Sequence, residues 1–334
     1  MSRHALLVVG LLVVGCDVRS PTPEQLNPVR TAHVEPVKED PAPVEPAPTP
    51  QDLSLGDGLE LRNAVRQGRL ALIPIVATTT PAARTYATLH ESMVRGTATV
   101  SEATDGFDVE HVWVENRSAQ SLLALNGEVI IDAHQDRVLA ESIVIPPRSG
   151  REVRVRCVES SRAEGSQQFH SSGIIAELPL RQVVAHQEQT RVWRMVDTIN
   201  ESRGLSPETH TYRHAGALQR SGAIASHRDQ LVAQLAAHPD RAQMVGVAVA
   251  IDGRLLAVDR FATPELYRRL EPRLIASYLA GDPGAPREGR RVTPDDVRQL
   301  VQMPNGVSST EASLGALRPP DERPDDPRDF DVYE

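Results

Sequence analysis

Apolar positions along the chain change period near its middle. Up to about residue 160 they come in short runs or strict alternation, the pattern of strands; beyond about 180 many recur every three or four residues, the pattern of helices. Leu70 to Ala77 is a continuous apolar run containing Pro74, which predicts an edge strand because proline has no N–H to offer a neighbour. Thr85 to Arg95 reads as a short helix. Phe107 to Glu115 alternates, with Val112 and Val114 on one face and His111 and Trp113 on the other. Ser121 to Leu125 and Glu128 to Ile131 flank Asn126-Gly127, a strong hairpin signal because both turn residues tolerate positive φ. Arg137 to Ile145 and Arg151 to Glu159 are further strands. With no helices between them, these strands should pair antiparallel.

The second half reads differently. Leu180 to Ile199 has helical spacing, with Val184, Trp193 and Val196 directed inward, and Ser221 to His238 is a second helix. Val245 to Ile251 and Leu255 to Phe261 are strands around the hairpin dipeptide Asp252-Gly253. Thr263-Pro264-Glu265 is a helix start with a hydroxyl cap, a proline and an acid in the first turn. That helix presents Leu266, Leu270, Leu274 and Tyr278, and Pro272 should bend it. The expected fold is α+β: a β-rich antiparallel first half packed with a helix-rich second half containing a β-hairpin.

The two ends do not read as core. Residues 1–15 have a basic start and an apolar run too short to cross a bilayer, ending Leu12-Val13-Val14-Gly15-Cys16. This is the form of a bacterial lipoprotein signal peptide, with cleavage before Cys16 and lipid attachment to its thiol. Residues 16–52 form a proline-rich tether: 17–52 hold nine prolines and no aromatics. Residues 53–317 form the globular region and 318–334 an acidic, proline-broken tail. The expected location is the cell envelope, anchored to a membrane by lipid. Asp17 resembles an inner-membrane retention signal, a rule that varies between lineages, so the inner or outer membrane stays open.

Composition narrows the chemistry. The chain has 334 residues and a formal net charge of -9. The tether and the tail each carry three positive and seven negative charges, so the globular region is close to neutral. Lys38, in the tether, is the only lysine; this excludes a phosphate loop ending in lysine and a pyridoxal Schiff base. Cys16 and Cys157 are the only cysteines, which excludes a four-cysteine zinc site. Aromatic content of 3% and an acidic balance point away from nucleic acid.

The strand ending Val153-Arg154-Val155-Arg156-Cys157-Val158-Glu159 places Cys157 and Glu159 on one face with Val153 and Val155. A carboxylate ending a buried row needs a partner, and Arg137 on the preceding strand is the expected one. Glu128, Gln135, Arg137, Cys157 and Glu159 would then line one polar pocket at a sheet end. The alternative is a cross-strand ion pair beside a buried cysteine, with no catalytic meaning. His134 between Asp132 and Asp136 reads as solvated charge rather than a metal centre, so no metal ligands are assigned.

Several segments together resemble the ARG and rhodanese-phosphatase-superfamily-associated protein domain. They are Val114-Glu115-Asn116-Arg117, Leu125-Asn126-Gly127-Glu128, Gln135-Asp136-Arg137-Val138-Leu139, Cys157-Val158-Glu159, Val192-Trp193, Val245 to Gly253, and Leu274-Ile275-Ala276-Ser277-Tyr278. The likeness spans roughly residues 60 to 285. The resemblance implies a link to NAD or ADP-ribose metabolism without fixing a reaction or a cofactor. It also implies that Gly127-Glu128, Gln135-x-Arg137 and Cys157-Val158-Glu159 stand at motif positions. Departures fall at Ile131-Asp132-Ala133-His134 and at Ser160-Ser161-Arg162.

Two functions follow. In the first, the domain binds or hydrolyses a phosphorylated small molecule. Arg137 holds the anion, Gln135 orients water, and Glu128 or Glu159 acts as base, with Cys157 the alternative nucleophile. In the second, the chain is a non-catalytic envelope lipoprotein that binds a protein or glycan.

Overall fold

The structure is a computed structural model that describes residues 54–56, 58–79, 85–103, 109–160, 165–205, 211–281 and 292–302. The expected signal peptide, the lipidation expected at Cys16, and the expected tether and tail lie outside the described residues. Strands β1 (Ser54–Gly56), β2 (Leu59–Leu61), β3 (Val65–Gln67), β4 (Leu70–Ala77) and β5 (Tyr86–Thr88) lead into helix α1 (Leu89–Val94). Then come β6 (Ala98–Glu102), β7 (His111–Asn116), β8 (Ser121–Ala124), β9 (Glu128–Asp132), β10 (Arg137–Leu139), β11 (Ile143–Ile145), β12 (Ser149–Cys157) and β13 (Gln168–Ile175). Helices α2 (Leu178–His186), α3 (Gln189–Ser202), α4 (Arg213–Ala217) and α5 (Gly222–Ala236) follow. The hairpin β14 (Met244–Ile251) and β15 (Arg254–Arg260) precedes α6 (Pro264–Ala280) and α7 (Pro294–Gln302). The fold is α+β, with antiparallel sheets dominating the first half and helices the second.

Six strands close into an antiparallel barrel in the order β10-β12-β7-β6-β13-β9. Strand alternation fills it. Val100, Val112, Val114, Ile130, Leu139, Val153, Val155 and Phe169 belong to one buried apolar cluster, whereas Trp113, between two inward valines, is exposed. Each buried valine contributes roughly 1.5–3 kcal/mol relative to an exposed one. A barrel of six strands is narrow, so side chains fill its interior.

A second sheet runs β1-β2-β4-β14-β15, with β3 also on β4. One face packs against α5 and α6 through Leu72, Val247, Leu231, Leu270 and Leu274, and α7 lies against the other through Val297. The Asp252-Gly253 hairpin forms as expected, both residues having positive φ (49° and 68°). Thr263 caps α6 by accepting a hydrogen bond from the Leu266 N–H.

Three expectations are corrected. Pro74 does not mark an edge: β4 is paired on both sides, with β14 and with β2 and β3. Pro74 accepts from the Arg62 N–H, so its missing N–H faces the break where β2 gives way to β3 and no ladder bond is lost. Asn126-Gly127 does not close a hairpin, because β8 pairs with β11 and β5 while β9 enters the barrel. Of the two turn residues only Gly127 has positive φ (89°), with Glu128 N–H donating to the Leu125 carbonyl, as in a type II rather than a type I′ turn. The helical region from 180 to 199 is two helices, α2 and α3, broken at Gln187-Glu188.

Candidate functional site

One mouth of the barrel gathers the ends of β6, β9 and β12 and the starts of β7, β10 and β13. Arg137 sits directly opposite Cys157 across the β10–β12 ladder, and both point into the barrel with Ile130 and Val155. The Arg137 guanidinium is buried. It pairs with Glu102 at the end of β6 (2.7 Å), donates to the His111 carbonyl (3.2 Å) and lies over the Phe169 ring (5.4 Å to the centroid). A charge this deep is stable only because it is paired and hydrogen-bonded. Glu102 also accepts from His134 Nδ1 at 3.1 Å.

The expected partnership of Arg137 with Glu159 is therefore replaced by one with Glu102. Glu159 lies past the end of β12, where it accepts from the Asp136 N–H (3.1 Å) and bridges to Thr211. Cys157 is buried, and Gln189 of α3 bonds both its backbone groups (3.0 and 2.7 Å). Burial pushes its thiol pKa up, against a smaller opposing pull from Arg137. The thiol is held protonated and shielded, the opposite of an activated nucleophile.

Above this sealed layer lies a charged rim. Asp132, the last residue of β9, and Ala133, which follows it, adopt left-handed backbone (φ 76° and 46°). Such strain persists only where surroundings hold it, and here they do. Buried Asp136 accepts from the Asp132 N–H (2.9 Å) and from Arg213 at 2.8 and 2.6 Å. Asp132 pairs with Arg213 (3.2 Å) and with His170 Nδ1 (3.0 Å). The Arg213 side chain remains 43% exposed. The Asp136 hydrogen bond, foremost, raises its pKa still further and fixes its positive charge. Gln135 is half-buried in the turn from β9 to β10.

Glu128 belongs elsewhere, at the opposite end of β9. It accepts from the Leu125 N–H (3.0 Å) and pairs with Arg273 of α6 (2.8 Å). The structure thus brings Arg137, Cys157, Gln135 and Glu159 to one barrel mouth and leaves Glu128 out.

The segment from 58 to 316 matches the ARG and Rhodanese-Phosphatase-superfamily-associated Protein domain, ARPP-1. The chain belongs to this family. No curated protein and no solved structure matches it.

Within the ARPP-1 domain, sequence reasoning missed Glu102 and Arg213. Glu102 ends an alternating strand on the face of Ala98 and Val100, so its inward direction was detectable from the period. Arg213 carries no local signal; only packing of α4 against the β9–β10 turn selects it. Among the described residues no group of three or more His, Cys, Asp or Glu could hold a metal ion, and no helix is long and apolar enough to cross a membrane.

Proposed function

We propose that this chain is a lipid-anchored envelope protein whose ARPP-1 domain recognises a small anionic ligand at the barrel rim, by binding rather than by thiol chemistry. The observation that carries the reading is Arg213. Its guanidinium is pinned by Asp136 and Asp132 yet remains partly open to solvent beside exposed His170. A planar fork held in advance loses little freedom when it meets a phosphate. Arg137 is committed to Glu102 and supports the rim from below. Because the family's name records association with ADP-ribosylglycohydrolases, an ADP-ribose-like diphosphate is the first ligand class to test. Hydrolysis would need a base at the rim, where Glu159 stands past the end of β12 on the Asp136 N–H. The anchor rests on the Gly15-Cys16 junction, and the tether gives the domain reach from the membrane.

A thermal-shift series on the full chain tests the site. A ligand at 100 times its Kd adds about 2.7 kcal/mol of stability. ADP-ribose should stabilise the wild type and lose that effect in Arg213→Ala. Absence of stabilisation by ADP-ribose, nucleotides and sugar phosphates would favour the protein- or glycan-binding alternative. For the anchor, Cys16→Ser should abolish acyl labelling and release the chain from membranes; retained labelling refutes it.

A further inference from the structure

We propose that Ser171 and His90 form a nucleophile–base pair that cleaves small activated carboxylic esters, at a site separate from the barrel rim. Strand β13 breaks its register with β9 between Ser171 and Ile175, and Gly173 there has φ 74°. Such bulges re-aim side chains. Ser171 Oγ lies 2.8 Å from His90 Nδ1. The Gly173 N–H donates to the same Oγ (3.2 Å), so the hydroxyl proton is free to point at Nδ1 when the imidazole proton sits on Nε2. Neighbouring Ser172 differs, since its hydroxyl is committed to the Val129 carbonyl (2.7 Å). A side chain at position 173 would press on His90 Cε1 at 3.3 Å, so glycine keeps the imidazole clear. Ser171, His90 and Gly173 are all partly exposed, which leaves the pair within reach of a substrate.

Arg273 completes the arrangement. Its Nε donates to the Gly173 carbonyl (3.0 Å) and its Nη1 to Glu128 (2.8 Å). Its Nη2 is buried without a hydrogen-bond partner. These contacts fix the Arg273 charge at the bulge that carries Ser171 and faces His90. The groups acting on His90 are Arg273 of α6, Glu128 of β9 and its own neighbour Glu91. Burial and then the Arg273 charge hold His90 below its ordinary pKa, against the two carboxylates. The imidazole is therefore in its basic form at neutral pH.

In the reaction, Ser171 Oγ bonds to the ester carbonyl carbon while its proton passes to His90 Nδ1. The tetrahedral centre collapses, the bond to the alcohol oxygen breaks, and the alcohol leaves with that proton. Water repeats the sequence on the acyl-serine, releasing the carboxylic acid and restoring the hydroxyl.

The test treats the full chain with a fluorophosphonate probe and maps the adduct by peptide mass spectrometry. Ser171 should gain the phosphonyl group with loss of fluoride, and p-nitrophenyl acetate hydrolysis should stop in proportion. His90→Gln should slow labelling at least tenfold while circular dichroism stays unchanged. Arg273→Gln should move the pH midpoint of labelling upward, and Arg273→Lys should return it. No adduct at Ser171 in the wild type, or an equal labelling rate in folded His90→Gln, overturns the proposal.

Discussion

Arg181 of α2 and Asp259 of β15 meet through two hydrogen bonds of 3.0 and 2.9 Å, with both side chains sealed from solvent. The Tyr278 hydroxyl of α6 adds a third bond to Asp259 at 2.6 Å. The pair fastens α2 to the five-strand path of the second sheet. Asp259→Ala leaves the Arg181 charge buried without its carboxylate and should cost about 3–5 kcal/mol. Replacing both, as in Arg181→Met with Asp259→Leu, should cost less than that single change. Urea unfolding of the two variants checks this, and a double variant at least as unstable as Asp259→Ala would refute it.

Gly127 lies against the same arginine. A Cβ there would sit 2.5 Å from Arg181 Cγ, at a backbone φ of 89°. Gly96 has a similar positive φ (70°) with nothing within 4 Å. Gly96→Ala should therefore cost only the backbone penalty of about 1–2 kcal/mol. Gly127→Ala should cost clearly more, because buried Arg181 cannot move aside without breaking its pair. Equal losses of Tm in the two variants would contradict the packing account.

The Cys157 thiol should react only when the domain opens. In a Cys16→Ser chain, where it is the sole thiol, a disulfide reagent at pH 8 should modify native protein at least about a hundredfold more slowly than urea-unfolded protein. Comparable rates would mean that the barrel mouth is open to solvent.

Stability should fall on the acid side in two steps. His90 has a depressed pKa in the fold, through burial first and Arg273 second. Its contribution is therefore complete above the unfolded value, about 6.5, and is lost as pH falls through the folded value. Glu91 is also depressed, chiefly by its hydrogen bond from Arg269. Its contribution is complete above the unfolded value of about 4.3 and disappears below that. Arg269→Met should flatten the lower step and leave the upper one, as read from urea midpoints between pH 3 and 8.

Local elements could be read directly. The Asp252-Gly253 hairpin, helix α5, and the Thr263 cap each rest on residues within one turn or a few helical turns, so neighbours in sequence suffice. The site was legible in part. Alternation put Cys157 inward, and Arg137, expected on a neighbouring strand as the partner of Glu159, stands opposite Cys157 instead. The partner of Arg137 was not legible, because Glu102 arrives from β6 through closure of the barrel. The Ser171–His90 contact was equally hidden, although Gly173 inside an otherwise regular strand is a recognised bulge signal.

Periodicity specified which faces are buried, and turn chemistry specified where the chain reverses. Neither specified which strands lie side by side, since backbone ladders are chemically alike and any two strands of suitable pattern can pair. Asn126-Gly127 shows the difference. The dipeptide makes a tight turn as its residue types require, but packing sends the two strands it joins into different sheets. Barrel closure, the central place of β4 despite Pro74, and the partners of every buried charge were settled by long-range packing, because an ion in the core is stable only beside whichever opposite charge the whole fold delivers.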